Sequence, residues 1–385
     1  MATETTAGYS GQTDSITRDF NRDVYCLFGL PVDNLTLDST KDLLRANANG
    51  NDHNVLSTIN VNWVAQSLTD PDFKSAIHNS EAVTLDGKPL LWLARLLGYP
   101  MTELVPGSTL AHELNQEAGN HQPLTIFFFG GEEHAAATAV EKVNNRRGGL
   151  KAVGFISPGF VDVEEMSGEE IITAINEKEP DILLVALGAK KGTRWIEHNR
   201  HRLRAKTISH LGATVNFLAG TVKRAPQPVS KIGMEWIWRI IQEPKLFTRY
   251  AGDGLLMLRV LAGHLPSWLR YRSWEKRFRR EEPDQESQLQ ENDQSITLTL
   301  GRNLRLTQDS PLRALFSKCA QSGKDLILDF RNTEFADGAF MALVLILAKQ
   351  QKRQKRKLQL ANINGRMATI CNFFGIGSQP TEEEG

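Results

Sequence analysis

Apolar and polar positions follow two alternating periods over most of the chain. Short β-branched or aromatic runs come first, and stretches with apolar residues at helical spacing follow them. VLSTINVNWV (55–64) precedes DPDFKSAIHNS, TIFFFGG (125–131) precedes EEHAAATAVEKVNNR, and DILLVALG (181–188) precedes TRWIEHNRHRL. KAVGFI (151–156) and TISHLGATVNFLAG (207–220) extend the series. Strands alternating with helices predict βαβ units and a parallel sheet, so the large part of the chain is expected to be an α/β body. Ligands of such sheets bind beyond the carboxyl ends of the strands, where glycines let backbone amides approach a phosphate. Gly130, Gly131, Gly188 and Gly212 fall at those predicted ends. None of them belongs to a GxGxxG pattern, so a nicotinamide or flavin cofactor is not expected, and no other cofactor is indicated.

A second and smaller α/β pattern follows. SITLTL (295–300), DLILDF (325–330) and KLQLAN (357–362) read as strands, with helices predicted in PLRALFSKCAQSG, AFMALVLILAKQQKRQ and GRMATICNFFG. Before it, EEPDQESQLQENDQ (281–294) has Leu289 as its one aliphatic residue, the composition of a linker. The expected organisation is a polar, disordered lead over 1–20, a body over 21–250, a basic appendage over 251–280, the linker over 281–294, and a small domain over 295–378. The lead lacks the apolar core of a signal peptide. The longest aliphatic run, MALVLILA (341–348), falls well short of the roughly 20 residues that span a bilayer. A cytosolic protein, attached at most to a membrane face, is the expectation.

Composition changes this picture locally. Net charge is +0, which gives no reason to expect a nucleic-acid partner. The three cysteines, Cys26, Cys319 and Cys371, form no CxxC pair, which fits a reducing compartment and supplies no zinc site. No HExxH or EF-hand loop occurs, and no metal is expected. Residues 221–280, by contrast, hold thirteen lysines and arginines against four acids, and four of the seven tryptophans. Arginines match phosphate geometry and can neutralise a diphosphate without a metal. LLMLRVLAGHLPSWLRYRSWEKRFRR (255–280) mixes Leu, Trp and Arg as a segment lying on an anionic membrane does. A basic helix pair that only packs on the body has the same composition. The cluster KQQKRQKRK (349–357) reads as the solvated end of a helix.

Three motifs carry candidate chemistry. Asp86 stands between an apolar strand-like run and an apolar helix, where a carboxylate can serve as a general base; an Asp–Gly turn that caps the helix reads the same way. Thr58 and Asn60 alternate with Ile59 and Val61 and so share one strand face, either against a polar ligand or against water. Asp70 and Asp72 form a DxD arrangement, but Pro71 and the apolar run after it favour a helix start with both acids at its dipole end.

These pieces together resemble the WecG/TagA/CpsF glycosyltransferase family from about Val55 to Tyr250. The matching residues are Thr58 and Asn60, Asp86–Gly87, Gly107 in VPGSTL, FFFGG, SPGF, and Leu187–Gly188 with Lys191 and Trp195. GATVNFLAGTVKRAP, GMEWIWR and EPKLFTRY complete the set and are its most specific part. The resemblance implies a Rossmann-like parallel-sheet body with a basic C-terminal appendage. It also implies inverting transfer of an N-acetylmannosamine-type or related hexose from a UDP-sugar to a lipid-linked diphospho-sugar, in capsule, teichoic-acid-like or other envelope polysaccharide synthesis. By this match Asp86 is the base, with Thr58 and Asn60 as catalytic companions that orient sugar or acceptor. Gly130, Gly131, Gly188, Lys191, Arg224, Glu235, Arg239 and Arg249 are the expected UDP-sugar contacts, and residues 255–280 meet the inner face of the plasma membrane. The chain departs from the family at Lys190–Thr193, where Pro-Lys-Gln-Glu is usual, and at Leu104, Thr109 and Asn216, where Arg, Asp and Asp are usual. A UDP-sugar-binding regulator without turnover is the alternative reading. The small part resembles a STAS domain through LILDF and the TEFxD loop. Gly338 and Ala339 follow the loop Asp337 where signalling members carry a phosphorylatable serine, so a docking module for a protein partner is expected. Self-association is compatible with all of this.

Overall fold

The computed structural model describes residues 15–117, 122–226, 229, 234–284 and 286–377. The chain forms two compact units. One is Leu35–Leu258; the other joins the chain up to Asn34 with Arg259 onward.

The N-terminal hairpin of the second unit pairs β1 (Val24–Leu27) with β2 (Leu30–Asp33). The first unit then begins with α1 (Leu37–Asn49), whose N-cap Thr36 forms a capping box with Ser39. Its strands are β3 (Asn54–Ile59), β4 (Ala82–Leu85), β5 (Leu124–Gly130), β6 (Leu150–Ile156), β7 (Ile182–Ala186) and β8 (Thr207–His210). They make one six-stranded sheet in the order β4-β3-β8-β7-β5-β6, parallel at every pairing. This is the α/β body that the alternating pattern predicts. The strands are apolar on both faces because helices cover both. One layer buries Leu56, Ile126, Phe128, Leu184 and Val215; the other buries Phe127, Phe129, Leu183, Trp195 and Ile208.

The helices that matter for the site are α2 (Val61–Ser67), α3 (Pro71–His78), α4 (Lys88–Leu96), α5 (Gly107–Gln116), α6 (Glu133–Arg146), α7 (Glu169–Asn176), α8 (Ala189–Asn199) and α9 (Thr214–Ala219). They are followed by α10 (Glu235–Gln242) and the 33-residue α11 (Leu246–Phe278). Asp70 caps α3 by accepting from the Phe73 amide at 3.1 Å, and Pro71 occupies the first turn. The helix-start reading of DPD is therefore the observed one, and Asp70 also pairs with Lys190 at 2.5 Å.

The second unit contains a four-stranded sheet in the order β14-β12-β10-β9: β9 (Gln288–Glu291), β10 (Ser295–Thr299), β12 (Asp325–Asp329) and β14 (Leu358–Ala361). A short pair, β11 (Asn303–Leu304) with β13 (Phe335–Ala336), lies beside it, and α12 (Pro311–Gln321), α13 (Gly338–Arg353) and α14 (Gly365–Phe373) complete the unit. Strand β9 lies inside the segment expected as a linker. Its polar side chains are all exposed, and backbone pairing with β10 makes it an antiparallel edge.

Three further expectations change here. The disordered lead was expected to run to residue 20; residues 1–14 lie outside the described residues, while 15–20 are helical with Ile16 and Phe20 buried. Helix α13 is apolar around its whole circumference in its first three turns, so it needs cover on every side. The β1–β2 hairpin packs on it and supplies part of that cover. The basic cluster at its end is also less solvated than expected, since Lys349, Gln350 and Gln351 are buried. Lys349 pairs with Asp19 at 3.0 Å, and the Gln350 amide donates to the same carboxylate at 2.5 Å. Arg313 donates to the carbonyls of Phe20 and Arg22, at 2.9 and 2.7 Å. From Arg259 onward α11 joins this unit too, with Tyr271 stacked on Phe335 and Phe373 and with Phe278 buried.

Asp19→Ala should therefore destabilise the C-terminal unit by roughly 3 kcal/mol, since it removes one member of a buried ion pair. Urea unfolding of the full chain checks this, and a loss below about 0.5 kcal/mol, the range of a surface substitution, would contradict the cover role.

Candidate functional site

All the strand-end candidates lie along the carboxyl edge of the parallel sheet. Strand β3 ends at Ile59 beside Leu85 of β4, so Asn60 and Asp86 leave the sheet at matching positions. Thr58 is buried within β3 opposite Thr84. Asn60 is still extended, at φ −120° and ψ −177°, and its Oδ1 caps α2 by accepting from the Trp63 amide at 3.2 Å. Part of Asn60 is thus committed to holding the helix start.

Asp86 does not cap the helix after it. Gly87 is the N-cap of α4, at φ +118°, a conformation that a side chain would strain, and no side-chain bond closes the cap. The Asp86 amide donates to Ile59 O at 2.7 Å, which fixes the residue against β3. Its carboxyl is half-buried, and its pKa is pushed up to about 7. Desolvation is the main cause; the charge of Glu235 adds to it, and Arg239 opposes it. Helix α10 therefore brings an acid and a base to the aspartate.

Arg224 belongs to the same cluster. It feels the carboxylates of Glu113 and Glu235, and it donates to the carbonyl of Ser108 in the first turn of α5. Burial holds its pKa below the ordinary guanidinium value. Two guanidiniums lie over the ring of Phe217 on α9, Arg224 at 5.9 Å and Arg239 at 5.3 Å from its centre. Lys223 is held from that helix: Trp238 Nε1 and Gln242 Nε2 donate to its carbonyl oxygen at 3.1 and 2.9 Å. The indoles and cations of this stretch are thus divided between holding the loop and charging the site.

Other candidates stand further along the edge. Gly130 and Gly131 end β5 with φ +90° and +78°. At Gly130 a Cβ would meet Ala186 O at 2.9 Å, so close strand packing alone requires this glycine. Gly188 opens α8 with free space in front of it. Lys191 donates to Val161 O in the loop after β6, which ties it to that side of the sheet. Trp195 is wholly buried, stacked on Phe129 at 4.1 Å, and is a core residue. Arg249 lies over the Tyr250 ring and near Asp253.

Four participants were not among the sequence candidates. Asn62 donates its amide to both oxygens of Asp253, at 3.2 and 3.0 Å, and so joins α2 to the start of α11. Phe217 and His112 are the other two. His112 lies near Arg224, and desolvation followed by that positive charge lowers its pKa. Asn62 repeats the polar spacing of Thr58 and Asn60, and that was the one signal available for it. The departure at Gly192 has a steric counterpart: a Cβ there would lie 2.1 Å from His210 Cδ2. His210 ends β8, bonds Leu187 O at 2.7 Å and packs on Trp63. A longer side chain at position 192 has no room beside it.

The profile of the glycosyl transferase WecG/TagA/CpsF family matches residues 25–269, and that of the Mlab STAS domain matches residues 287–378. An N-acetylglucosaminyldiphosphoundecaprenol N-acetyl-beta-D-mannosaminyltransferase of Bacillus subtilis (strain 168) is 26% identical over 190 residues, 49% of this chain and 72% of that protein. The protein with the same description from Staphylococcus aureus (strain MRSA252) is 24% identical over 237 residues, 61% of this chain and 91% of its own length.

Two outcomes follow. Gly192→Ala should cost roughly 1–3 kcal/mol through overpacking against His210, and His210→Ala in the same chain should recover most of it, as read by thermal unfolding. The raised Asp86 pKa means that the folded chain holds this proton more tightly than the unfolded chain does. The stabilising contribution is complete below the ordinary carboxyl value of about 3.9 and is lost as pH rises through about 7. Asp86→Asn should therefore unfold at a higher temperature than the parent at pH 8, with the difference shrinking towards pH 4.

Proposed function

Because the chain belongs to the WecG/TagA/CpsF glycosyltransferase family and carries a STAS domain after it, we propose that it transfers an N-acetylmannosamine-type sugar from a UDP donor to a lipid-linked diphospho-sugar. The relatives' described reaction, on an N-acetylglucosaminyl diphosphoundecaprenol, supports the substrate class. The observation that carries the reading is Asp86, a half-buried carboxyl with a pKa near 7, gathered with Glu235, Arg239 and Arg224. A base is most effective when its pKa lies close to the working pH, and desolvation together with the like charge of Glu235 brings Asp86 there. Asp86 takes the proton of the acceptor hydroxyl as its oxygen attacks the anomeric carbon, with inversion. Arg224 and Arg239 receive the negative charge that develops on the departing UDP diphosphate. Thr58 and Asn60, at the end of the neighbouring strand, orient the sugar, and Gly188, Lys191 and Arg249 lie towards the nucleotide.

Among the described residues no helix is long and apolar enough to cross a membrane. Helix α11 nevertheless exposes Leu265 and Leu269 in the second unit, both at least half open to solvent. These leucines, with Arg270 and Lys276 on the same stretch, support peripheral attachment to an anionic bilayer, where a lipid-linked acceptor resides. The STAS unit serves as a docking module: Asp337 caps α13 by accepting from the Phe340 amide at 2.8 Å, and Gly338 and Ala339 offer no hydroxyl to phosphorylate.

Asp86→Asn should lower UDP release from UDP-N-acetylmannosamine, with the lipid acceptor present, by at least roughly a hundredfold and leave UDP binding nearly unchanged. Undiminished turnover would remove Asp86 from the mechanism. In the parent, the rate should climb with pH up to about 7 and level off. Glu235→Gln removes the like charge and should move that acid limb to lower pH; a limb that stays in place would separate Glu235 from the base.

A further inference from the structure

Helix α11 begins at Leu246, and its first part, up to Leu258, belongs with the parallel-sheet body. Met257 is buried in that stretch, while Phe247, Leu255 and Leu258 stay open to solvent. Apolar burial alone therefore gives the stretch little grip on the body. Among the described residues, the side-chain hydrogen bond that joins it to the rest of the body is the one from Asn62 to Asp253, at 3.2 and 3.0 Å to the two carboxylate oxygens. Asn62 is aimed by its neighbours. Asn60 caps α2, so Asn62 falls in the first turn of that helix. Gln66, one turn on, donates to Asn62 Oδ1 at 2.6 Å, which leaves the Asn62 amide nitrogen to face Asp253.

A second donor competes for the same carboxylate. Asp253 is half-buried, and desolvation holds its pKa above the usual carboxyl range; the Asn62 bond and the charge of Arg249 oppose that shift. Arg249 stands four residues earlier on the same helix, the spacing at which an arginine and an aspartate pair. That pair is not made. The Arg249 guanidinium lies over the Tyr250 ring, 5.3 Å from its centre, and among the described residues it meets no carboxylate at ion-pair distance. Tyr250 in turn packs on Trp236, with ring centres 6.4 Å apart, and Trp236 adjoins Glu235, whose charge reaches Asp86. The start of α11 is thus tied to the site from two sides, through Asn62 beside Asn60 and through Trp236 beside Glu235.

We propose that Asn62 and Asp253 are positioning residues for the donor: their clasp fixes the first turns of α11 beside the sheet edge and keeps the Arg249 guanidinium free for the nucleotide's diphosphate. This rests on the transferase reading above and deepens it. A half-buried carboxylate needs a hydrogen-bond donor, and the Asn62 amide supplies one without a charge. When that amide is lost, Asp253 draws Arg249 onto itself. The site then loses a positive charge while the fold stays intact.

The test is calorimetric titration of the full chain with UDP. Asn62→Asp sets an acid against Asp253 and should weaken UDP binding at least roughly tenfold, the effect of about 1.4 kcal/mol. An acid is favourable in the first turn of a helix and position 62 is half-exposed, so the variant should fold, which circular dichroism checks. Asn62→Ala removes the amide without adding charge; it should weaken binding at least about threefold and replaces Asn62→Asp should that chain not fold. Adding Asp253→Asn to Asn62→Asp reverses the pair at the parent's net charge and should bring the affinity back to within about twofold. In an Arg249→Gln chain, Asn62→Asp should have less than about a twofold effect, because the residue through which the clasp acts is gone. In turnover, Asn62→Asp should raise KM for UDP-N-acetylmannosamine and leave kcat within about threefold. Undiminished UDP binding in Asn62→Asp would overturn the assignment. So would a full loss in the Arg249→Gln chain, a loss that the reversed pair does not repair, or a fall in kcat at unchanged KM. A parent that binds no UDP brings down the donor reading itself, and the role of Arg249 with it.

Discussion

Holding a carboxyl group partly out of water at the end of β4 is the constraint around which the body is arranged. A desolvated acid resists ionisation, and its neighbours decide how strongly. The Asp86 amide is fixed to β3, and Gly87 turns the chain sharply away, so the side chain cannot relax into a cap at the start of α4. Helix α10 then sets Glu235 and Arg239 against it with opposite effects. The aspartate is thereby poised between its two protonation states near neutral pH, a condition that neither the strand nor the helix would create alone.

The same helix has a second duty. Trp238 and Gln242 hold the Lys223 carbonyl, and the neighbouring Arg224 reaches Ser108 at the start of α5. Arg224 thus brings positive charge to the sheet edge beside a carbonyl held by an indole and an amide donor. Both guanidiniums lie over the Phe217 ring, and Arg239 also pairs with Glu243 at 3.1 Å. In the second unit the constraint is different. A helix as apolar as α13 must be enclosed, and the chain encloses it partly with its own N-terminal hairpin, through Asp19–Lys349 and the carbonyls bound by Arg313. The family profile begins at residue 25, inside a hairpin that packs within the C-terminal unit.

Much of this was legible in the chain. Strand–helix alternation gave the parallel sheet, and DPD read correctly as a helix start. Asp86, Arg224, Glu235 and Arg239 were all visible as charged residues in otherwise apolar or glycine-rich surroundings. Strand β9 was not legible, because its side chains are polar and exposed and only backbone pairing makes it a strand. Asn62, Asp253, Phe217 and His112 were missed for a related reason: each is ordinary in its local sequence and gains meaning from a partner far along the chain.

The sequence by itself determined the class of each unit and placed its candidate glycines and charged residues at the carboxyl ends of the strands. These follow from periodicity and residue type, which act over a few neighbouring positions. Only the tertiary structure decided that Asp86 titrates near neutrality, that Gly192 yields its space to His210, and that residues 15–34 belong with the C-terminal unit. Desolvation, steric exclusion and the cover of an apolar helix depend on which distant segments meet, and no local pattern encodes that.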